Sequence, residues 1–158
     1  MEAQVRQLIQ PAEPLVDTIT GWMYQWWGQQ EGYTREAVRQ YVLHGCQQDR
    51  LPRTYGLFLG DMLIGMYQLR LDDLFVRPDV YPWLANVYLD PACRGMGYGR
   101  ILLSSVKENA KQLGGFSELF LYTTHTDLYE KYGWAFVEEI DTHLKGARIQ
   151  RLYRLSLA

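Results

Sequence analysis

The chain has 158 residues, 47% apolar and 22% charged, enough to bury a core without metal or disulfide support. Sixteen basic against 18 acidic side chains leave a net charge of −2, which excludes the strong positive field of a nucleic-acid or anionic-membrane binder. Cys46 and Cys93 lie far apart and form no metal-ligand or redox spacing, so no metal is expected.

The opening residues, Met1 to Arg6, lack a basic segment followed by an apolar run. No apolar stretch reaches the roughly 20 residues that span a bilayer, so a cytoplasmic protein without a membrane partner is expected. Val5 to Ile9 reads as a short strand. Pro14 suits a helix start, and Leu15, Ile19, Trp22 or Met23, and Trp26 follow at helical spacing, with Gly28 closing the segment. Thr34 is placed to cap a second helix through about Gly45, with Val38, Tyr41 and Val42 on one face. Tyr55 to Leu59 and Met62 to Leu71 read as strands joined by the two-residue turn Gly60-Asp61. Arg70 to Val80 is polar and irregular. Tyr81 to Leu89 is a further strand, stopped at Asp90-Pro91.

The glycine-rich turn Arg94 to Gly99 opens a helix with Leu102, Val106, Ala110 and Leu113 on its buried stripe, capped by Gly114-Gly115. Glu118 to Tyr122 is a strand. Thr126 or Asp127 caps a short helix through about Tyr132, ended by Gly133, and Trp134 to Val137 and Ile149 to Leu157 are the last strands. Strand, turn, helix and strand in the middle imply one parallel pairing, whereas the hairpins imply antiparallel ones. The class is therefore α/β, or α+β by some conventions, with a mixed sheet. No repeat or linker interrupts the chain, so residues 1–158 are expected to form one domain.

The segment Val87 to Arg100 carries the chemistry. It sets a run of backbone N–H groups between a strand end and a helix N-terminus, where those donors lack intrahelical partners and the helix dipole favours an anion. Gly95, Gly97 and Gly99 let the main chain approach a phosphate, and Arg94 and Arg100 add charge-assisted donors. A glycine-rich turn also serves simply to redirect a chain. It is not a Walker loop, since no Gly-Lys-Ser/Thr follows, and it fits a dinucleotide fingerprint poorly. A second element, Leu128 to Trp134, places Tyr129 on a short helix that ends at Gly133, where a structural tyrosine and a reactive phenol both remain open readings.

Together the two elements resemble the GCN5-related N-acetyltransferase superfamily. Val87 to Leu103 resembles its acetyl-coenzyme A motif, with Arg94, Gly97 and Gly99 at the Arg-x-x-Gly-x-Gly positions. Leu128 to Trp134 resembles its Leu-Tyr-x-x-x-Gly-Phe signature, with Trp134 in place of the usual Phe. The resemblance implies a mostly antiparallel twisted sheet of six to seven strands flanked by about four helices. It implies acetyl-coenzyme A as cosubstrate, with pyrophosphate on the N–H groups of Arg94, Gly95, Met96, Gly97, Tyr98, Gly99 and Arg100. Pantetheine would run along Val87, Tyr88 and Leu89, with Thr123 and Thr124 on the opposite side and Asn86 near the opening. The acceptor would be an amine of a small molecule, a peptide N-terminus or a lysine, and relatives of this architecture are often dimers.

By the same resemblance Tyr129 assists the departing thiolate. A phenol at pKa about 10 and a thiol at about 8.5 make full proton transfer uphill by roughly 2 kcal/mol, which favours a hydrogen bond over a proton donated outright. Many relatives carry a glutamate base on the fourth strand, but Tyr81 to Leu89 has no carboxylate. Asp73 or Asp72 on the preceding loop, or His125, are the alternatives. Tyr81, Trp83, Trp22 and Trp26 are candidates for an aromatic acceptor pocket, or for core. A non-catalytic acyl-coenzyme A sensor and a nucleotide-phosphate binder are the competing readings.

Overall fold

The computed structural model describes residues 2–158. The chain runs β1 (Ala3–Leu8), α1 (Glu13–Met23), α2 (Arg35–His44), β2 (Arg53–Leu59), β3 (Met62–Arg70), β4 (Trp83–Leu89), α3 (Tyr98–Ser104), α4 (Val106–Lys111), β5 (Glu118–Thr123), β6 (Ala135–Asp141) and β7 (Ile149–Ser156). The strands form one seven-stranded sheet in the order β1-β2-β3-β4-β5-β7-β6. Every neighbouring pair is antiparallel except β4 and β5. This is the mixed sheet read from the sequence.

Helices cover both faces of the sheet. Val16, Ile19, Trp22, Met23, Val38 and Val42 of α1 and α2 pack on Phe58, Leu63 and Met66. On the other face Leu102, Val106 and Ala110 pack on Leu57, Tyr67, Leu69 and Leu119. Covering on both sides explains why β2 and β3 are buried along almost their whole length instead of alternating. Strand β6 lies at a sheet edge, and its residues Ala135 to Glu139 are all exposed, with Glu138 and Glu139 among them. Among the described residues no helix is long and apolar enough to cross a membrane, and no group of three or more His, Cys, Asp or Glu could hold a metal ion.

Local signals acted where they were read. Thr34 accepts a hydrogen bond from the Ala37 N–H at 3.0 Å and starts α2. Gly60 takes φ +63° in the tight turn from β2 to β3. Three elements differ from the sequence reading. Helix α1 ends in a π-helical turn, Tyr24–Gly28, whose wider winding rotates Trp26 out of the buried stripe to which an α-helical period assigns it. The helix after the glycine turn is interrupted at Ser105, whose Oγ donates to the Leu102 carbonyl at 2.7 Å and pairs with the Tyr67 hydroxyl at 2.9 Å. The segment before Gly133 is a short 3₁₀ turn, Tyr129–Tyr132, with no capping bond from the side chain before it.

The feature that positions the site is a bulge in β4. Between the pairs Met66↔Tyr88 and Gln68↔Ala85, β3 advances two residues while β4 advances three. Asn86, at φ +52°, adopts the left-handed conformation that asparagine tolerates better than most side chains. The inserted residue shifts the strand's parity. Leu84, Val87 and Leu89 face the α3 side, whereas Tyr88 packs on the α1 side. Beyond the pair Trp83↔Phe120 the β4–β5 ladder stops, and the two parallel strands part.

Candidate active site

An open cleft of about 1110 Å³ occupies that parting, with Val87, Leu121, Thr123, Thr124 and Tyr129 among its lining residues. The Asp90 N–H donates to the Ile64 carbonyl on β3 at 2.8 Å. Main-chain groups alternate sides along a strand, so those of Leu89 point the other way, into the gap, and the bulge leaves Val87 without a ladder partner on β3. The Leu89 carbonyl is already engaged by Arg94 Nε at 2.9 Å, with the guanidinium 5.3 Å from the centroid of the Tyr88 ring. Arg94 thereby folds the glycine turn back onto the strand and leaves the Leu89 N–H toward the gap.

The turn itself is open. Asp90 caps a short 3₁₀ turn by accepting from the Ala92 N–H at 3.0 Å. Gly95 and Gly97 take φ +78° and +85°, which side-chain-bearing residues adopt only under strain. A Cβ at Gly95, Gly97 or Gly99 would meet nothing within 4 Å, so this backbone faces free space. Helix α3 begins at Tyr98, and its first N–H groups point out beside the exposed Arg94, Met96 and Arg100. A diphosphate fits this cradle by chemistry and by access.

Across the gap, Tyr129 is buried, with its ring 6.1 Å from Trp134 and 6.2 Å from Tyr153, edge-on and tilted respectively. Burial pushes its phenol up to about 12. Its hydroxyl bonds no protein group among the described residues, yet it is not sealed off, because Tyr129 lines the cleft. Thr123 and Thr124, at the end of β5, line the same side. The Thr123 hydroxyl is occupied by the His125 N–H at 3.1 Å, and His125 is exposed at the rim.

The other end of the cleft is walled by Trp26, Trp27, Tyr33, Tyr41, Arg70 and Phe75, with Glu31, Asp72 and Asp73 as carboxylates. Asp73 is half-buried; loss of hydration pushes its carboxyl up to about 7, against the pull of Arg70 and with a smaller push from Asp72. Tyr122 reaches the same loop by donating to the Asp73 backbone carbonyl at 3.4 Å. Burial, reinforced by the Asp73 charge, raises that phenol as well. Asn86 lines the wall but spends its side chain on three neighbours: it accepts from Trp27 Nε1 and donates to Tyr41 and Gln68. An amide so engaged takes up no proton.

The aromatic wall of the cleft differs from the acceptor-pocket set expected from the sequence. Trp83 is buried in a core patch with Leu74, Val80, Ile140 and Leu152. Trp22 packs against Tyr88 with ring centroids 5.2 Å apart, and Tyr81 is exposed outside the cleft lining. Of the four, only Trp26 faces the cleft. Trp27, Tyr33, Tyr41 and Arg70 take the remaining places. The π-helical turn hides Trp27 from a helical count, and the spacing of Tyr41 sets it only on one face of α2 with Val38 and Val42.

The sequence matches the acetyltransferase (GNAT) family over residues 19–134. No curated protein matches. Among solved structures, an aminoglycoside 6'-N-acetyltransferase complexed with coenzyme A superposes with a TM-score of 0.74 at 14% identity, over 98% of this chain and 97% of that one. A spermidine N-acetyltransferase chimera from Vibrio cholerae and hSSAT gives 0.75 at 12% identity, over 99% and 96%. A GNAT-family acetyltransferase from Streptococcus pneumoniae gives 0.70 at 16% identity, over 99% and 100%. At these identities the superpositions speak to the fold, and the family match spans most of the chain, including the glycine turn and Tyr129. The chain belongs to the acetyltransferase (GNAT) family.

Proposed function

We propose that the protein is an acetyl-coenzyme A-dependent N-acetyltransferase that passes the acetyl group directly to an amine. One observation carries this reading: an unpartnered, cleft-facing Tyr129 hydroxyl stands across an opened strand pair from free main-chain amides and an accessible glycine cradle. When bound, acetyl-coenzyme A supplies the activated acyl group. Gly95 to Arg100 offer main-chain donors to its diphosphate, and Val87 and Leu89 offer strand pairing to its amide arm.

The main-chain N–H groups in the gap are the donors available to a thioester oxygen as charge builds there. Tyr129 donates a hydrogen bond to sulfur and keeps its proton. With the phenol near 12 and a thiol near 8.5, full transfer is uphill by about 5 kcal/mol. Asp73 is the base on this reading: an amine near 10.4 must shed a proton before it attacks, and a carboxyl near 7 is half ionised at neutral pH.

The acceptor is a small cationic amine. Ring faces at Trp26, Trp27 and Tyr33 and the carboxylates of Glu31, Asp72 and Asp73 attract positive charge, and Arg70 is already committed to the Gln68 side chain and the Asp72 carbonyl. Two of the superposed enzymes are named for aminoglycoside and spermidine acetylation, which supports the same class. Thiol release from acetyl-coenzyme A, measured against polyamines, aminoglycosides, a peptide N-terminus and a lysine peptide, tests it. Turnover is expected to be fastest on small amines with more than one positive charge. Tight binding without turnover on any acceptor would instead mark an acyl-coenzyme A sensor.

A further inference from the structure

Four side chains and one backbone carbonyl, with Tyr41 as a branch, form a continuous hydrogen-bond chain between the acceptor wall and the sheet interior. Trp27 Nε1 donates to Asn86 Oδ1 at 3.2 Å. Asn86 Nδ2 donates to Gln68 Oε1 at 2.8 Å and to the Tyr41 hydroxyl at 2.9 Å. Gln68 Nε2 donates to Thr54 Oγ1 at 3.1 Å, and that hydroxyl donates to the Gly45 carbonyl at 2.8 Å.

The direction of the chain is fixed from both ends. An indole N–H can only donate and a backbone carbonyl can only accept, so each amide between them has one satisfied orientation. Gln68 and Thr54 are buried, which makes an unsatisfied link costly. The links join the π-helical turn, the β4 bulge, β3, β2 and the end of α2, elements up to 59 residues apart in sequence.

We infer that Asn86 is a positioning residue: this one-way relay locks the bulge that parts β4 from β5 to the Trp27 wall of the acceptor end. The acetyl-donor side and the amine side are thereby held in one register by a side chain that touches neither reacting atom. The inference rests on the proposed acetyl transfer only for its kinetic readout.

Asn86→Asp keeps size and the left-handed backbone preference but sets an acceptor against Gln68 Oε1, so the relay must break. The expected result is a kcat at least about 10-fold lower, with the KM for acetyl-coenzyme A within about twofold, as misplaced reacting groups demand. Trp27→Phe keeps an aromatic ring at the wall but removes the N–H donor together with part of the indole's bulk. It should lower kcat/KM for the amine about 3- to 10-fold and add little to Asn86→Ala, because the two side chains share one interaction. Additive losses, or wild-type kinetics in Trp27→Phe, would overturn the relay even if Asn86→Asp failed to fold.

An NMR readout is independent of turnover. The Trp27 indole proton, assigned by its absence in Trp27→Phe, should exchange slowly in the wild type and rapidly in Asn86→Ala. Unchanged exchange would overturn the inference on its own. A wild type that acetylates nothing would sink the proposed activity and leave the exchange measurement to decide the relay.

Discussion

The two ends of the cleft are built from different materials. The donor end is almost all main chain: a parted strand, glycines at 95 and 97 with positive φ, and the first amides of α3. The acceptor end is almost all side chain, with aromatic rings, three carboxylates and an amide relay drawn from five distant segments. Backbone chemistry is the same whichever side chains surround it, so a donor site of this kind needs only a turn of the right shape. Side-chain chemistry changes with every substitution. A fold made this way can keep one acyl donor and exchange acceptors.

If that division is right, the largest losses should follow single side-chain changes at the acceptor end. Asp73→Asn removes the proposed base and should lower kcat/KM for the amine about 10²–10⁴-fold, in the range typical of general-base catalysis, while acetyl-coenzyme A binds as before. In the wild type, kcat/KM should rise with pH and level off above about 7, the value to which burial pushes this carboxyl. A profile with no inflection near 7 would remove Asp73 from that role.

Tyr129→Phe is expected to cost less, about 10–10³-fold in kcat, because it removes one hydrogen bond to developing charge and no proton acceptor. Affinity for acetyl-coenzyme A should stay within about threefold, since burial of the ring is retained. An equal loss in binding and in turnover would mean that the phenol is part of the packing and not of the chemistry.

The smallest effect is on stability, and its sign is informative. The Asp73 carboxyl is raised in the fold from an ordinary 3.8 to about 7, so the folded state holds its proton more tightly than the unfolded chain does. Its contribution is full below pH 3.8 and is lost as pH rises through about 7. Asp73→Asn should therefore raise the melting temperature at pH 8 by a few degrees and change it little at pH 4. A more stable but less active variant would show that the acceptor end holds its base at a cost to folding.

The same division decides what could be read from the sequence. The glycine turn, the Thr34 cap, the Gly60 turn and the strand before Asp90 are local devices whose residues lie side by side, and the structure has a turn, a cap or a strand end at each. Val87, Thr123, Thr124 and Tyr129 line the cleft, and the glycine turn stays open next to the Leu89 carbonyl that Arg94 engages. The acceptor wall was not legible, because Trp27 meets Asn86 only through a π-helical turn and a strand bulge. Each of those inserts one residue into a regular period, and one residue suffices to turn a side chain to the other face. Trp83 and Trp22 went to the core for the same reason that they looked suited to a pocket: they are large and apolar.

The central claim is that main chain at Gly97 holds the acyl donor while the side chains opposite do the chemistry. Calorimetric titration of acetyl-coenzyme A into the wild type and into Gly97→Ala tests it most directly. The added Cβ meets no neighbour, so its effect must come through the left-handed backbone at φ +85°, which costs about 1–2 kcal/mol for an L-residue. One-to-one binding in the wild type, weakened about 10-fold or more in Gly97→Ala without loss of fold, is the expected result. No heat in the wild type, or equal affinity in both proteins, would contradict it.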